Sequence, residues 1–185
     1  PLALEWLRQC PYVVCCDGAA NTYIRSGRMP EAIVGDGDSL LPDIKERYAS
    51  LIHSETEQET NDLSKAFRFC LSQERKRITI MGATGKREDH TIGNVSLLAD
   101  YMEQAEVSMM TDYGIFVPIR EDSMFESYIG QQISVFNMNS TALSAEGLAY
   151  PLSVFTNWWQ GTLNEALARH FIIRTEGKVL VFRVF

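Results

Sequence analysis

Short apolar runs alternate with helical stretches over roughly the first 112 residues of this 185-residue chain, and beyond residue 113 they no longer do. That change of rhythm constrains the fold more than any other feature. Runs at 12–16, 31–35, 50–54, 78–81 and 107–110 read as strands. Helical stretches fall at 2–9, before Gly27, at 42–49, after residue 62 and at 91–104, with Gly27 as a C-cap and Pro42 at a first helical position. Repeated strand–helix units argue for a parallel sheet with helices on both faces. After 113 the runs 114–119, 132–137, 141–146, 169–175 and 178–185 are short, alternating or β-branched, and Glu176-Gly177 suits a hairpin turn. Only 162–168 has helical character. The expected fold class is α/β plus all-β. A Rossmann-like parallel-sheet α/β domain over 1–112 precedes a small antiparallel β-sandwich over 113–185.

Ligands in parallel sheets sit beyond the carboxyl ends of the strands. Asp17, Asp36 and the 82–90 loop each directly follow an expected strand. Asp36 and Asp38 are two apart, with Gly35 and Gly37 beside them. On extended backbone such side chains point the same way, and two repelling acids suit a cation. Mg²⁺ is the obvious one, because it takes oxygen ligands and bridges carboxylates to phosphates. The alternative is that Asp and Gly simply form a turn. The stretch from Gln58 to Asp62 leads into an amphipathic helix carrying Leu63, Ala66, Phe67, Cys70 and Leu71. It reads as a helix start capped by Thr60 or Asn61. As a third acid, Asp62 would complete a metal cradle with Asp36 and Asp38. The 82–90 loop is no P-loop: its glycines stand too close together, and Arg87 follows Lys86 where Ser or Thr is needed. It still offers backbone N–H groups and the Arg87 fork to phosphate, or an Arg87–Asp89 ion pair that fixes the loop.

Net charge is −7, which argues against a nucleic-acid partner while leaving a small phosphorylated substrate open through a metal. Cys10, Cys15, Cys16 and Cys70 form no CxxC pair and read as reduced thiols of a cytoplasmic protein. His53, His90 and His170 lack zinc spacing, and no apolar run reaches membrane-spanning length. Tyr150, Trp158 and Trp159 read as core or interface aromatics that could also stack on a flat ring. The chain opens on Pro1 without a methionine, and residues upstream are expected.

The ordered motifs resemble those of the thiamine pyrophosphokinase family. Asp17 to Asn21 is similar to its D-G-A-A-N element, and Gly35 to Ser39 to its G-D-x-D-S element. Gln58 to Asp62 with Lys65 resembles Q-x-x-T-D-x-x-K. Gly82 to Asn94 resembles G-x-x-G-x-R-x-D-H-x-x-x-N. Residues 130–134, 147–152 and 161–165 extend the resemblance through the second half. Three departures stand out: Gly37 replaces a bulky residue, Asn61 stands where Thr is usual, and Leu163 replaces a Ser hydroxyl on the thiamine side. The family's first strand, ahead of a helix like 2–9, has no counterpart in this sequence.

The resemblance implies transfer of pyrophosphate from ATP to the thiamine hydroxyl, with AMP leaving, by positioning and charge stabilisation. It implies Mg²⁺ on Asp36, Asp38 and Asp62, with Arg87 neutralising phosphate charge and Asp89 orienting Arg87 or aiding the metal. Asp17, Gly18, Asn21, Gln58 and Lys65 fall on the ATP side, and Tyr150 and Asn164 on the thiamine side. Asp62 or Asp89 would accept the hydroxyl proton. A homodimer with its active site at the subunit interface is implied as well. The rival readings are another metal-dependent phospho- or nucleotidyltransferase and a non-catalytic thiamine- or nucleotide-binding homologue.

Overall fold

The structure is a computed structural model that describes residues 2–185. Two compact units divide the chain, Pro1–Lys76 and Arg77–Phe185.

In the first unit, β1 (Val14–Cys16), β2 (Ala32–Gly35) and β3 (Ile52–Ser54) form a parallel sheet in that order. The helices are α1 (Leu2–Gln9), α2 (Ala19–Arg25), α3 (Pro42–Arg47) and α4 (Asp62–Ser72). β2 is buried at every position, as a strand covered on both faces must be. Its side chains alternate between two cores. Ile33 packs with Cys15, Ala20, Leu40 and Ile44, on the side of α2 and α3. Ala32 and Val34 pack with Ala66 of α4. This period of two puts helices on both faces, as the alternating pattern leads one to expect.

In the second unit, β4 (Arg77–Met81) pairs in parallel with β5 (Glu106–Met110). Between them lie α5 (Glu88–Ser96) and α6 (Leu98–Tyr101). The remaining strands are β6 (Gly114–Ile119), β7 (Ser123–Glu126), β8 (Gln132–Asn137), β9 (Leu143–Glu146), β10 (Asn164–Glu165), β11 (His170–Thr175) and β12 (Val179–Val184). The six-stranded sheet runs β10-β8-β12-β6-β5-β4, antiparallel apart from the β4–β5 pair. The sheet β7-β11-β9 is antiparallel throughout. One core joins Val135, Val179 and Val181 of the larger sheet to Phe125, Leu143, Phe171 and Ile173 of the smaller.

The fold is therefore mixed, with parallel strands followed by an antiparallel β region. Four local expectations change. The parallel strands fall in two ladders, and β4–β5 continues directly into antiparallel β6. The expected helix 91–104 begins earlier, at Glu88, and breaks at Leu97. Segment 162–168 is not helical: Leu163 has φ +61 and Asn164–Glu165 pairs with β8. β7 has only four residues, too few for alternation to reveal it.

Candidate active site

Asp17 directly follows β1 and is 2% exposed. Its backbone N–H donates to the Val34 carbonyl at 2.9 Å, and its Oδ2 accepts from the Ser39 N–H at 3.0 Å. Its Oδ1 is buried with no hydrogen-bond partner. Burial pushes the Asp17 carboxyl up, the Ser39 N–H opposes this, and the charges of Asp36 and Asp62 add to the rise. β1 and β2 approach closely here, because a Cβ on Gly35 would lie 2.7 Å from that of Asp17.

Asp36 directly follows β2 and is half-buried. Its Oδ1 accepts from the Asp38 N–H at 3.0 Å. That bond comes first among the causes holding its carboxyl below the ordinary range, and the Gln58 amide, Lys65 and Asp17 add to it. Asp62 is the first residue of α4, and Asn61 caps the helix by accepting from the Ser64 N–H at 2.9 Å. The buried Lys65 ammonium lies 3.4 Å from Asp62 Oδ1. Asp17, Asp36 and Asp62 thus interact electrostatically, with Lys65 as their nearby cation. The adjoining Cys16 thiol is pushed up to about 12, by burial first and by Asp62 next, so it stays protonated.

Asp38 follows on the same turn. Gly37 has φ +78, so the backbone bends and the extended-strand rule for residues two apart does not hold. Asp38 is exposed and lines a groove with Lys45 and Glu46. Gly18 and Asn21 serve the same loop. Asn21 Nδ2 donates to the Ser39 carbonyl at 2.8 Å, and its Oδ1 accepts from the Leu41 N–H at 3.0 Å. A Cβ on Gly18 would lie 3.0 Å from that of Ser39. Among the described residues, no group of three or more His, Cys, Asp or Glu side chains closes around a metal position. The donor chemistry nonetheless fits a hard divalent cation. The side chains are oxygen donors, and the orphaned Asp17 Oδ1 is a buried acceptor that a cation or a proton shared with Asp36 would satisfy.

In the second unit, Arg87 forms a bidentate pair with Asp89: Nε to Oδ1 at 3.1 Å and Nη2 to Oδ2 at 2.6 Å. Asp89 Oδ1 also accepts from the His90 N–H at 2.9 Å in the first turn of α5. Arg87 is the first cause holding the Asp89 carboxyl below its usual range. Asn94 ties α5 back to the loop, donating to the Ala83 carbonyl at 2.9 Å. Tyr150 is exposed. Asn164 is only 5% exposed and holds the Tyr150 backbone at both ends, accepting from its N–H at 3.0 Å and donating to its carbonyl at 2.8 Å. Its amide is therefore a holder of Tyr150 rather than an outward-facing donor. Leu163 is 75% exposed in the left-handed region.

Sequence reasoning missed the holding roles of Asp17, Asn21 and Asn164, and the burial of Lys65. The one available signal was helical spacing, since Lys65 stands three residues after Asp62, beside Ala66 and Phe67 on the buried part of α4.

The family model for the thiamin pyrophosphokinase catalytic domain matches residues 3–110. That for the thiamin pyrophosphokinase substrate-binding domain matches 114–182. Thiamine pyrophosphokinase 1 of Oryza sativa subsp. japonica is 30% identical over 129 residues, covering 56% of this chain and 49% of that protein. Thiamin pyrophosphokinase 1 of Caenorhabditis elegans is 30% identical over 110 residues, covering 55% and 45%. The chain thus spans about half the length of the curated relatives it matches. Thiamine pyrophosphokinase from Bacillus subtilis superposes with a TM-score of 0.84 at 20% identity, over 100% of this chain and 92% of that one. The Candida albicans structure gives 0.81 at 20% identity, over 98% and 84%. Both structural matches speak for the fold, and the two family models for membership. This chain belongs to the thiamin pyrophosphokinase family.

Proposed function

We propose that the chain transfers pyrophosphate from ATP to the hydroxyl of thiamine in a Mg²⁺-dependent reaction, giving thiamine diphosphate and AMP. The observation that carries this reading is the acid cluster at the strand ends of a segment matched by the catalytic-domain model. Asp36 and Asp62 would hold the ion, with Asp38 on the same turn as a third carboxylate. Bound there, Mg²⁺ would withdraw charge from the phosphate oxygens. Gln58 and Lys65 sit beside Asp36 and can orient the nucleotide's phosphates. Asp17, Gly18 and Asn21 hold the acidic loop on the ATP side. Arg87 supplies a guanidinium for phosphate oxygen, and Asp89 keeps that fork oriented.

The thiamine oxygen attacks the β-phosphorus, the bond to the α-phosphate oxygen breaks, and AMP departs. The hydroxyl proton passes to a carboxylate. Asp89 is doubly bound by Arg87 and held below its usual range, which makes it a weak acceptor, and Asp62 is the other candidate. Tyr150 presents an aromatic face to the thiamine rings, and Asn164 fixes its backbone. Exposed Tyr150, Trp159 and Leu163 support a homodimer whose active site includes the second half of a neighbouring copy. Among the described residues, no helix is long and apolar enough to cross a membrane, and all four cysteines are free, which supports a cytoplasmic setting.

The test is AMP release from ATP and Mg²⁺ with and without thiamine. Thiamine-dependent AMP with thiamine diphosphate as co-product is expected. Release only with another alcohol would point to a different phosphotransferase, and binding without turnover to a non-catalytic homologue.

A further inference from the structure

The peptide unit joining Gly37 to Asp38 is gripped at both ends. Its N–H donates to Asp36 Oδ1 at 3.0 Å. Its carbonyl accepts from the Lys45 ammonium on α3 at 3.0 Å. A peptide is planar, so fixing the carbonyl direction also fixes the N–H direction. An ammonium on the carbonyl also polarises the unit and strengthens the N–H as a donor. The flanking residues are held separately, Ser39 by Asp17 and Leu41 by Asn21, so besides Asp36 itself it is Lys45 that holds the bend. Gly37 belongs to the same device. A Cβ there would lie 3.1 Å from Lys45 Nζ and 3.3 Å from Cε, on backbone at φ +78 that disfavours side chains. The absence of a side chain at 37, the chain's departure between its paired aspartates, is thus matched to the presence of Lys45. The ammonium reaches the turn from the groove of about 470 Å³ lined by Gly37, Asp38, Leu40, Pro42, Lys45 and Glu46.

We propose that Lys45 is a positioning residue for the cation site: by clamping the Gly37–Asp38 peptide it holds the Asp36 carboxylate in the orientation that receives a divalent ion. This rests on the cation reading proposed above. It assigns Lys45 no contact with substrate.

The test uses Mn²⁺ as probe, titrated by calorimetry into the full chain, with thermal melting and the amide resonance of Asp38 followed alongside. Lys45→Met is expected to weaken Mn²⁺ binding about tenfold, the usual scale for losing a residue that orients a ligand. It should also speed exchange of the Asp38 amide and leave the melting temperature nearly unchanged. Lys45→Arg, which keeps a cationic donor, should restore affinity to within about threefold. Gly37→Ala should weaken binding like Lys45→Met, and the double variant should be no worse than either alone, because both break one link. Wild-type affinity in Lys45→Met would overturn the clamp while leaving the cation site standing. Wild-type protein that takes up no Mn²⁺ would overturn the cation reading and the clamp with it.

Discussion

Two ion pairs, one in each unit, share their chemistry and differ in environment. Lys65 and Asp62 lie 3.4 Å apart, with side chains 3% and 45% exposed. Arg87 and Asp89 lie 2.6 Å apart, with side chains 70% and 63% exposed. The shorter, bidentate pair contributes less to the fold, because water screens it. The longer one anchors a buried ammonium among three acids, where loss of the cation leaves charge without compensation. Distance alone therefore misleads, and burial decides which pair holds the fold and which is open to a ligand.

The largest expected effect is at Lys65. Replacing it with Met should cost about 3 kcal/mol, the low end for a broken buried pair because Asp62 is half open to water. Urea unfolding at neutral pH measures it. A loss no larger than that of Arg87→Met would erase the distinction between the pairs. Arg87→Met should leave the melting temperature within about 2 °C of wild type. Thiamine-dependent AMP release should nonetheless fall about a hundredfold, the scale of losing a donor aimed at developing charge. Equal effects on folding and rate would make Arg87 a structural residue. A neutral pair sharpens the point: Asn164→Ala removes both bonds to the Tyr150 backbone and should cost about 1–2 kcal/mol, with a raised KM for thiamine. An unchanged KM would remove Tyr150 from the thiamine side.

The smallest effect is one of pH. Arg87 holds the Asp89 carboxyl below its ordinary 3.8. A lowered folded value means the contribution is present above pH 4 and is lost as pH falls through the folded value. Acid unfolding of Arg87→Met should therefore show slightly less pH dependence below pH 4 than wild type. Identical acid limbs would mean that the pair adds nothing to the fold.

Much of the candidate site was legible where chemistry coincides with local structure. Asp17 and Asp36 read correctly as strand-end residues because β1 and β2 are short apolar runs stopped by Asp and Gly. The start of α4 with a cap at Thr60 or Asn61 follows from residue types alone, and the structure uses Asn61. The Arg87–Asp89 pair was legible as one of two readings, since residues two apart in a loop reach each other. What stayed hidden depends on distant partners. Asn21 reads as a nucleotide contact, yet its amide clamps Ser39 and Leu41, and only the meeting of two strand ends reveals that. Asn164 behaves likewise with Tyr150, fourteen residues away. Leu163 defeats propensity because a leucine suits a helix, while the tight bend ahead of β10 forces a positive φ. The bend at Gly37 was foreseeable as freedom, but not that it would turn the Asp38 N–H onto the Asp36 carboxylate.

The most direct test is calorimetric titration of Mn²⁺ in the presence of a non-hydrolysable ATP analogue, comparing Asp36→Asn with Asp89→Asn. Asp36→Asn is expected to weaken binding at least about tenfold, and Asp89→Asn to leave it close to wild type. The reverse pattern, with the ion lost on changing the exposed pair and kept on changing the acid cluster, would contradict the proposed cation site.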